Sequence, residues 1–140
     1  MASVEIIIES RGRGLREITH EIAAATRALL DGGASPEGLC TIFVRHTSCS
    51  LVIQENADPS ARHDLERWLN RLVPEGDELY THTSEGADDM PAHIKAALTA
   101  TSIGVPMLGG RLALGTWQGV YLWEHRRSRH ERRVVVHVGA

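Results

Sequence analysis

Gly115-Thr116-Trp117-Gln118-Gly119-Val120-Tyr121-Leu122-Trp123-Glu124-His125 is the stretch on which the fold turns. Val120 and Leu122 fall on one face of a pleated strand, Tyr121 and Trp123 on the other. Gly115 and Gly119 let the backbone bend or let another group approach closely. Glu124 closes the apolar run, where a carboxylate is costly to bury without a partner. Strand-like segments lie on both sides: Ile103 to Met107, Arg111 to Leu114 and Trp117 to Glu124, then Arg132 to Val138.

The first hundred residues are mixed. Ala2 to Ile8 reads as a strand and Gly12 and Gly14 as a turn. Leu15, Ile18, Ile22, Ala25 and Leu29 recur at helical spacing up to Gly32-Gly33. Leu39 to Val44 and Cys49 to Ile53 are strands around the His46-Thr47-Ser48 corner. Asp58-Pro59 opens a second helix, with Ala61, Leu65, Trp68, Leu69 and Leu72 as its stripe. After a polar loop, Asp89-Met90-Pro91 opens a third, with Ile94, Ala97, Leu98 and Thr101 on one face. Mixed elements followed by clustered strands predict an α+β fold on a largely antiparallel sheet system, not a doubly wound one.

The 140 residues fit one domain, 1–140, with 42% apolar and 24% charged residues. A net charge of −3 gives no reason to expect nucleic acid or an anionic membrane as partner. No run approaches the roughly 20 apolar residues of a membrane span, and the N-terminus lacks a signal core. Cys40 and Cys49 form neither a disulfide framework nor a close-spaced zinc pair. A reduced, cytoplasmic protein is expected. Phosphate-loop, dinucleotide and nucleophile-elbow motifs are absent.

Asp89 and His93, four apart at a helix start, share one face and make a partial ligand set for a divalent metal. Asp88 or Asp89 also suits the helix N-cap, which accounts for one carboxylate but not for His93. His82 lies in the loop before them and ranks lower, as does Asp88. His46, at a strand end, either bonds its own turn or faces a ligand. Trp117, between Thr116 and Gln118, is core or a stacking surface, and Gln118 offers both a donor and an acceptor. Arg126, Arg127, Arg129, Arg132 and Arg133 read as a solvated connection or as a phosphate-collecting patch.

Four ordered motifs resemble the YjbQ family, small proteins often named secondary thiamine-phosphate synthases. They are His46-Thr47-Ser48-Cys49-Ser50-Leu51, Glu55-Asn56-Ala57-Asp58-Pro59, Glu85 through Lys95, and Gly115-Thr116-Trp117-Gln118-Gly119. The resemblance implies a two-sheet sandwich with about three helices outside, assembled as a homotrimer. It implies an enzyme joining a pyrimidine methyl pyrophosphate to a thiazole phosphate, with release of pyrophosphate. On that reading His46, Asp89 and His93 hold a divalent metal, magnesium or zinc, or the phosphate. Glu55 and Asn56 line the site, Thr116 and Gln118 orient a phosphorylated heteroaromatic substrate, and Trp117 faces the developing cation. Glu124 supports a ligand or moves a proton. A metal-dependent phosphoester or pyrophosphate hydrolase and a non-catalytic phosphate- or vitamin-binding trimer are the alternatives.

Overall fold

The computed structural model describes residues 2–140. Its strands are β1 (Ala2–Ser10), β2 (Gly14–Glu17), β3 (Leu39–Val44), β4 (Cys49–Glu55), β5 (Ser102–Leu108), β6 (Arg111–Leu112), β7 (Gln118–Glu124) and β8 (His130–Gly139). Its helices are α1 (Thr19–Asp31), α2 (Pro59–Leu72) and α3 (Asp89–Leu98). One sheet has the order β1-β8-β3-β5-β6 and the other β2-β7-β4, with every ladder antiparallel. The expected α+β architecture, two antiparallel sheets with three helices, is what forms.

Two cores explain the layering. Val120 and Leu122 on β7 join Ile8, Ile42, Val44, Val134 and Val136 of the larger sheet and Ile22 and Leu29 of α1. Tyr121 and Trp123, on the opposite face of β7, meet Leu15, Leu69 and Val73, with Ile94 at the margin. β7 is therefore central, apolar on both faces and buried from Gly119 to Glu124. Among the described residues, no helix is long and apolar enough to cross a membrane.

Leu15 departs from the expected helix. Gly12 and Gly14, at φ of 137° and 141°, turn the chain so that Gly14–Glu17 becomes an edge strand on β7, with Leu15 opposite Trp123. α1 starts only at Thr19, whose hydroxyl donates to Glu17 and accepts the Val120 amide. On α2, Asp58 caps the Ser60 amide as expected. Of its predicted stripe only Leu69 is buried, while Trp68 and Leu72 are each 53% exposed. On α3 the buried face is Ala92, Lys95 and Ala96; of the predicted face Ile94 is half-buried, Ala97 and Leu98 are exposed, and Thr101 lies beyond the helix. The helix is rotated by the ion pairs at its start, which hold Asp88 and Asp89 inward.

Candidate functional site

Three donor atoms converge where the loop before α3 meets its first turn. His82 Nε2 lies 2.8 Å from Asp89 Oδ2 and His93 Nε2 lies 3.2 Å from the same oxygen. One ligand atom from each residue falls within 4.8 Å of the other two, and the rings meet edge to face at 5.4 Å. Asp89 is buried, His93 half-buried and His82 exposed, so the group opens to solvent on one side.

The proton on His93 follows from its partners. Nδ1 sits 3.0 Å from the Thr47 carbonyl oxygen, which can only accept, so Nδ1 donates. Nε2 then carries a second proton, or it points a lone pair at a carboxylate. Only a cation between the two stabilises the second arrangement. Neutral imidazole with its far N–H on a carbonyl is the usual state of a metal-bound histidine.

Asp89 is held from behind by Arg126. Its Nη1 donates to Asp89 Oδ1 at 2.7 Å, Nε to Asp88 Oδ2 at 3.0 Å, and Nη2 to the Glu85 carbonyl at 2.9 Å. Asp88 occupies the N-cap position of α3 without making a side-chain cap bond, and accepts the Arg127 amide instead. Burial raises the Asp88 carboxyl, but the Arg127 amide and the Arg126 guanidinium outweigh it and leave the group below the ordinary range. The same pairing raises Arg126.

Glu124 is enclosed in a different network. It accepts the Ser10 hydroxyl at 2.5 Å, Arg132 Nε at 2.7 Å, and the His125 and Arg126 amides at 3.0 and 3.1 Å. Burial pushes its carboxyl up, yet Arg132, Ser10 and the Arg126 amide offset that, and the group lies below the ordinary value. A carboxylate so fully paired is an anchor for Arg132 and has no free lone pair for proton transfer. Arg132 in turn donates to the hydroxyl of Ser48.

His46 is not part of this three-residue group. Its Nε2 accepts the Arg133 amide at 2.7 Å, and its Nδ1 faces the Arg132 guanidinium at 3.5 Å. Burial and then Arg132 lower its basicity. One ring nitrogen is thus occupied and the other faces a positive charge, so His46 is poorly placed to hold a metal. The remaining sequence candidates lie at the opposite end of β7, about 20 Å away at the usual strand rise. There Asn56 Nδ2 donates to Glu17 at 3.0 Å, Glu55 accepts the Asp58 amide, and Gln118 accepts the Gly115 amide. Thr116 is exposed, and Trp117, 65% exposed, is not core. At Gly119 a Cβ would meet Glu17 Oε2 at 2.5 Å and Asn56 Cβ at 3.1 Å, so a larger residue asks the Glu17 carboxylate to move aside.

A family model described as UPF0047 protein YjbQ-like matches residues 4–140. The chain belongs to this YjbQ-like UPF0047 family. UPF0047 protein sll1880 of Synechocystis is 51% identical over 133 residues, 95% of this chain and 88% of that one. UPF0047 protein YjbQ of Escherichia coli is 42% identical over 93% of this chain and 91% of its own. The crystal structure of the conserved hypothetical protein TT1486 from Thermus thermophilus superposes with a TM-score of 0.84 at 33% identity, covering 96% of this chain and 98% of that one.

In this YjbQ-like chain, the sequence ranks His82 low and leaves Arg126 in a stretch that reads as a solvated connection or a phosphate-collecting patch. Their partners are 7 to 41 residues away, and no local spacing announces such pairs. His125, to which no role was given, is buried with Nε2 2.9 Å from the Ser50 hydroxyl and Nδ1 without a partner among the described residues. Burial, then the neighbouring Lys95 charge, depresses it to about 3. Lys95 itself is buried on Asn70 and lowered to about 8, chiefly by burial. Burial pushes the Cys49 thiol up to about 12, which argues against a nucleophile.

Proposed function

We propose that this protein is a metal-assisted enzyme of the thiamine-phosphate-synthase type. It would join a pyrimidine methyl pyrophosphate to a thiazole phosphate. The observation that carries the reading is the convergence of His82, Asp89 and His93, with the His93 Nδ1 proton committed to Thr47. Two imidazoles and one carboxylate suit zinc or a similar transition metal better than magnesium, which prefers oxygen donors. The metal's contribution would be to neutralise charge developing on the leaving pyrophosphate.

The reaction asks little covalent work of the protein. The bond from the pyrimidine methylene carbon to the pyrophosphate oxygen breaks, and its electron pair leaves with pyrophosphate. The thiazole nitrogen lone pair forms the new C–N bond. Asp89 and the two histidines would hold the metal that meets the phosphate end, while an aromatic face would stabilise the electron-poor methylene, worth about 1–2 kcal/mol when desolvated. Trp117 is the exposed aromatic of the family motif, but it lies a strand's length from His93 in its own chain. A homotrimer resolves this, with Trp117, Thr116 and Gln118 of one copy facing the histidines of the next. Head-to-tail contacts close into a ring when the rotation between copies is a whole fraction of a turn, a third for a trimer. Two buried, unpaired thiols suit a reducing cytoplasm.

The test is thiamine phosphate formation from the two precursors with zinc or magnesium, comparing wild type with His93→Ala. Product that requires both precursors and is lost in the variant supports the coupling. Phosphate released from one precursor alone would put a hydrolase in its place. Saturable ligand binding without product would leave a binding protein.

A further inference from the structure

The Arg126 side chain touches all three segments around the donor group. Its guanidinium bonds Asp89 on α3, Asp88 at the helix start, and the Glu85 carbonyl in the loop that carries His82. Its own amide is tied to Glu124 at the end of β7. The side chain is only 16% exposed, so these bonds are sheltered from water.

The two oxygens of Asp89 are consequently unequal. Oδ1 accepts from Arg126, and Oδ2 faces both imidazoles. We infer that Arg126 is a positioning residue that makes Asp89 a single-oxygen ligand and so reserves a coordination position for substrate. The inference rests on the metal reading above. A carboxylate free to swing would offer both oxygens and fill the space a substrate oxygen needs. Three single-atom protein donors with one position open is the pattern of catalytic zinc. Only a planar fork reaches two adjacent carboxylates and a carbonyl together. A lysine ammonium matches the charge but not that geometry.

The experiment uses the full chain, stripped of metal and titrated with Co(II) alone, with zinc affinity measured by competition against a coloured chelator. Wild type should bind one cobalt per chain with the intense visible absorption of a low-coordinate site. Arg126→Gln should bind zinc about 10–100-fold more weakly, the usual cost of losing an outer-shell partner. Its cobalt absorption should drop as Asp89 closes with both oxygens. Arg126→Lys should not restore the spectrum. Asp88→Asn, which loosens Arg126 without touching the ligands, should move both readouts the same way by less, and serves if Arg126→Gln fails to fold. Unchanged spectrum and affinity in these variants would overturn the positioning role while leaving the metal site standing. Wild-type protein that binds neither metal would instead overturn the metal reading.

Discussion

The carbonyl oxygen of Thr47 accepts the Nδ1 proton of His93 at 3.0 Å, across 46 residues of sequence. The histidine corner thereby orients a ring on α3. Zinc titration by calorimetry should show one site in wild type, lost in His93→Ala and in Asp89→Ala. His82→Ala should weaken it, and His46→Ala should leave its stoichiometry unchanged. Loss of the site in His46→Ala alone, with the fold intact, would put the ligand assignment wrong. A chelator should raise the wild-type susceptibility to heat and leave His93→Ala unaffected.

Stability should fall with acid before ordinary carboxylates titrate. His125 is held neutral at about 3 in the fold, against an ordinary value of 6.5. The unfolded chain therefore binds the extra proton first. The contribution is complete above pH 6.5 and lost progressively as pH falls toward 3. Between pH 6.5 and 4 this amounts to something on the order of 3 kcal/mol. Urea midpoints across that range should decline in wild type and flatten in His125→Gln; parallel curves would refute the assignment.

The Glu124–Arg132 pair is 1% and 3% exposed, so removing one partner strands a buried charge. Arg132→Met should destabilise by about 3–5 kcal/mol, and the double change with Glu124→Leu should recover much of that. The depressed Glu124 carboxyl adds stability present above its ordinary value of 4.5 and lost as pH falls through its lower folded value. Denaturant unfolding at pH 7 and pH 4 checks both statements.

A site shared between copies predicts complementation. His93→Ala and Trp117→Ala should each be inactive as pure assemblies. Unfolded together and co-refolded, they should regain part of the coupling activity, because some interfaces then pair an intact Trp117 with an intact His93. No recovery from mixed assemblies, verified by size and mass, would place the whole site in one chain.

Much of the fold was legible because β7 writes its burial into its sequence. Val120 to Trp123 are apolar on both faces, as a strand between two cores must be. The Asp58 cap was readable from Asp-Pro. Leu15 misled because its spacing to Ile18 and Ile22 is helical, while what decides its state is the unpaired edge of β7, a distant partner. The α3 face misled because ion pairs with Arg126 set its rotation, and these come from 37 and 38 residues downstream. Asp89 and His93 were visible as an i,i+4 pair. His82 was not, since a loop residue has no period. Separation of the Trp117 end from the histidines appears only once β7 is known to run straight between them.

The tightness at Gly119 has a consequence for how this protein can vary. Even the smallest side chain there would collide with Glu17 and Asn56. The disturbance would not stay local. The same strand, five residues on, delivers Glu124 to its guanidinium, and the turn after it brings Arg126 to Asp89. A change at this position would be felt first by Glu17 and Asn56, far from every residue that would meet the metal.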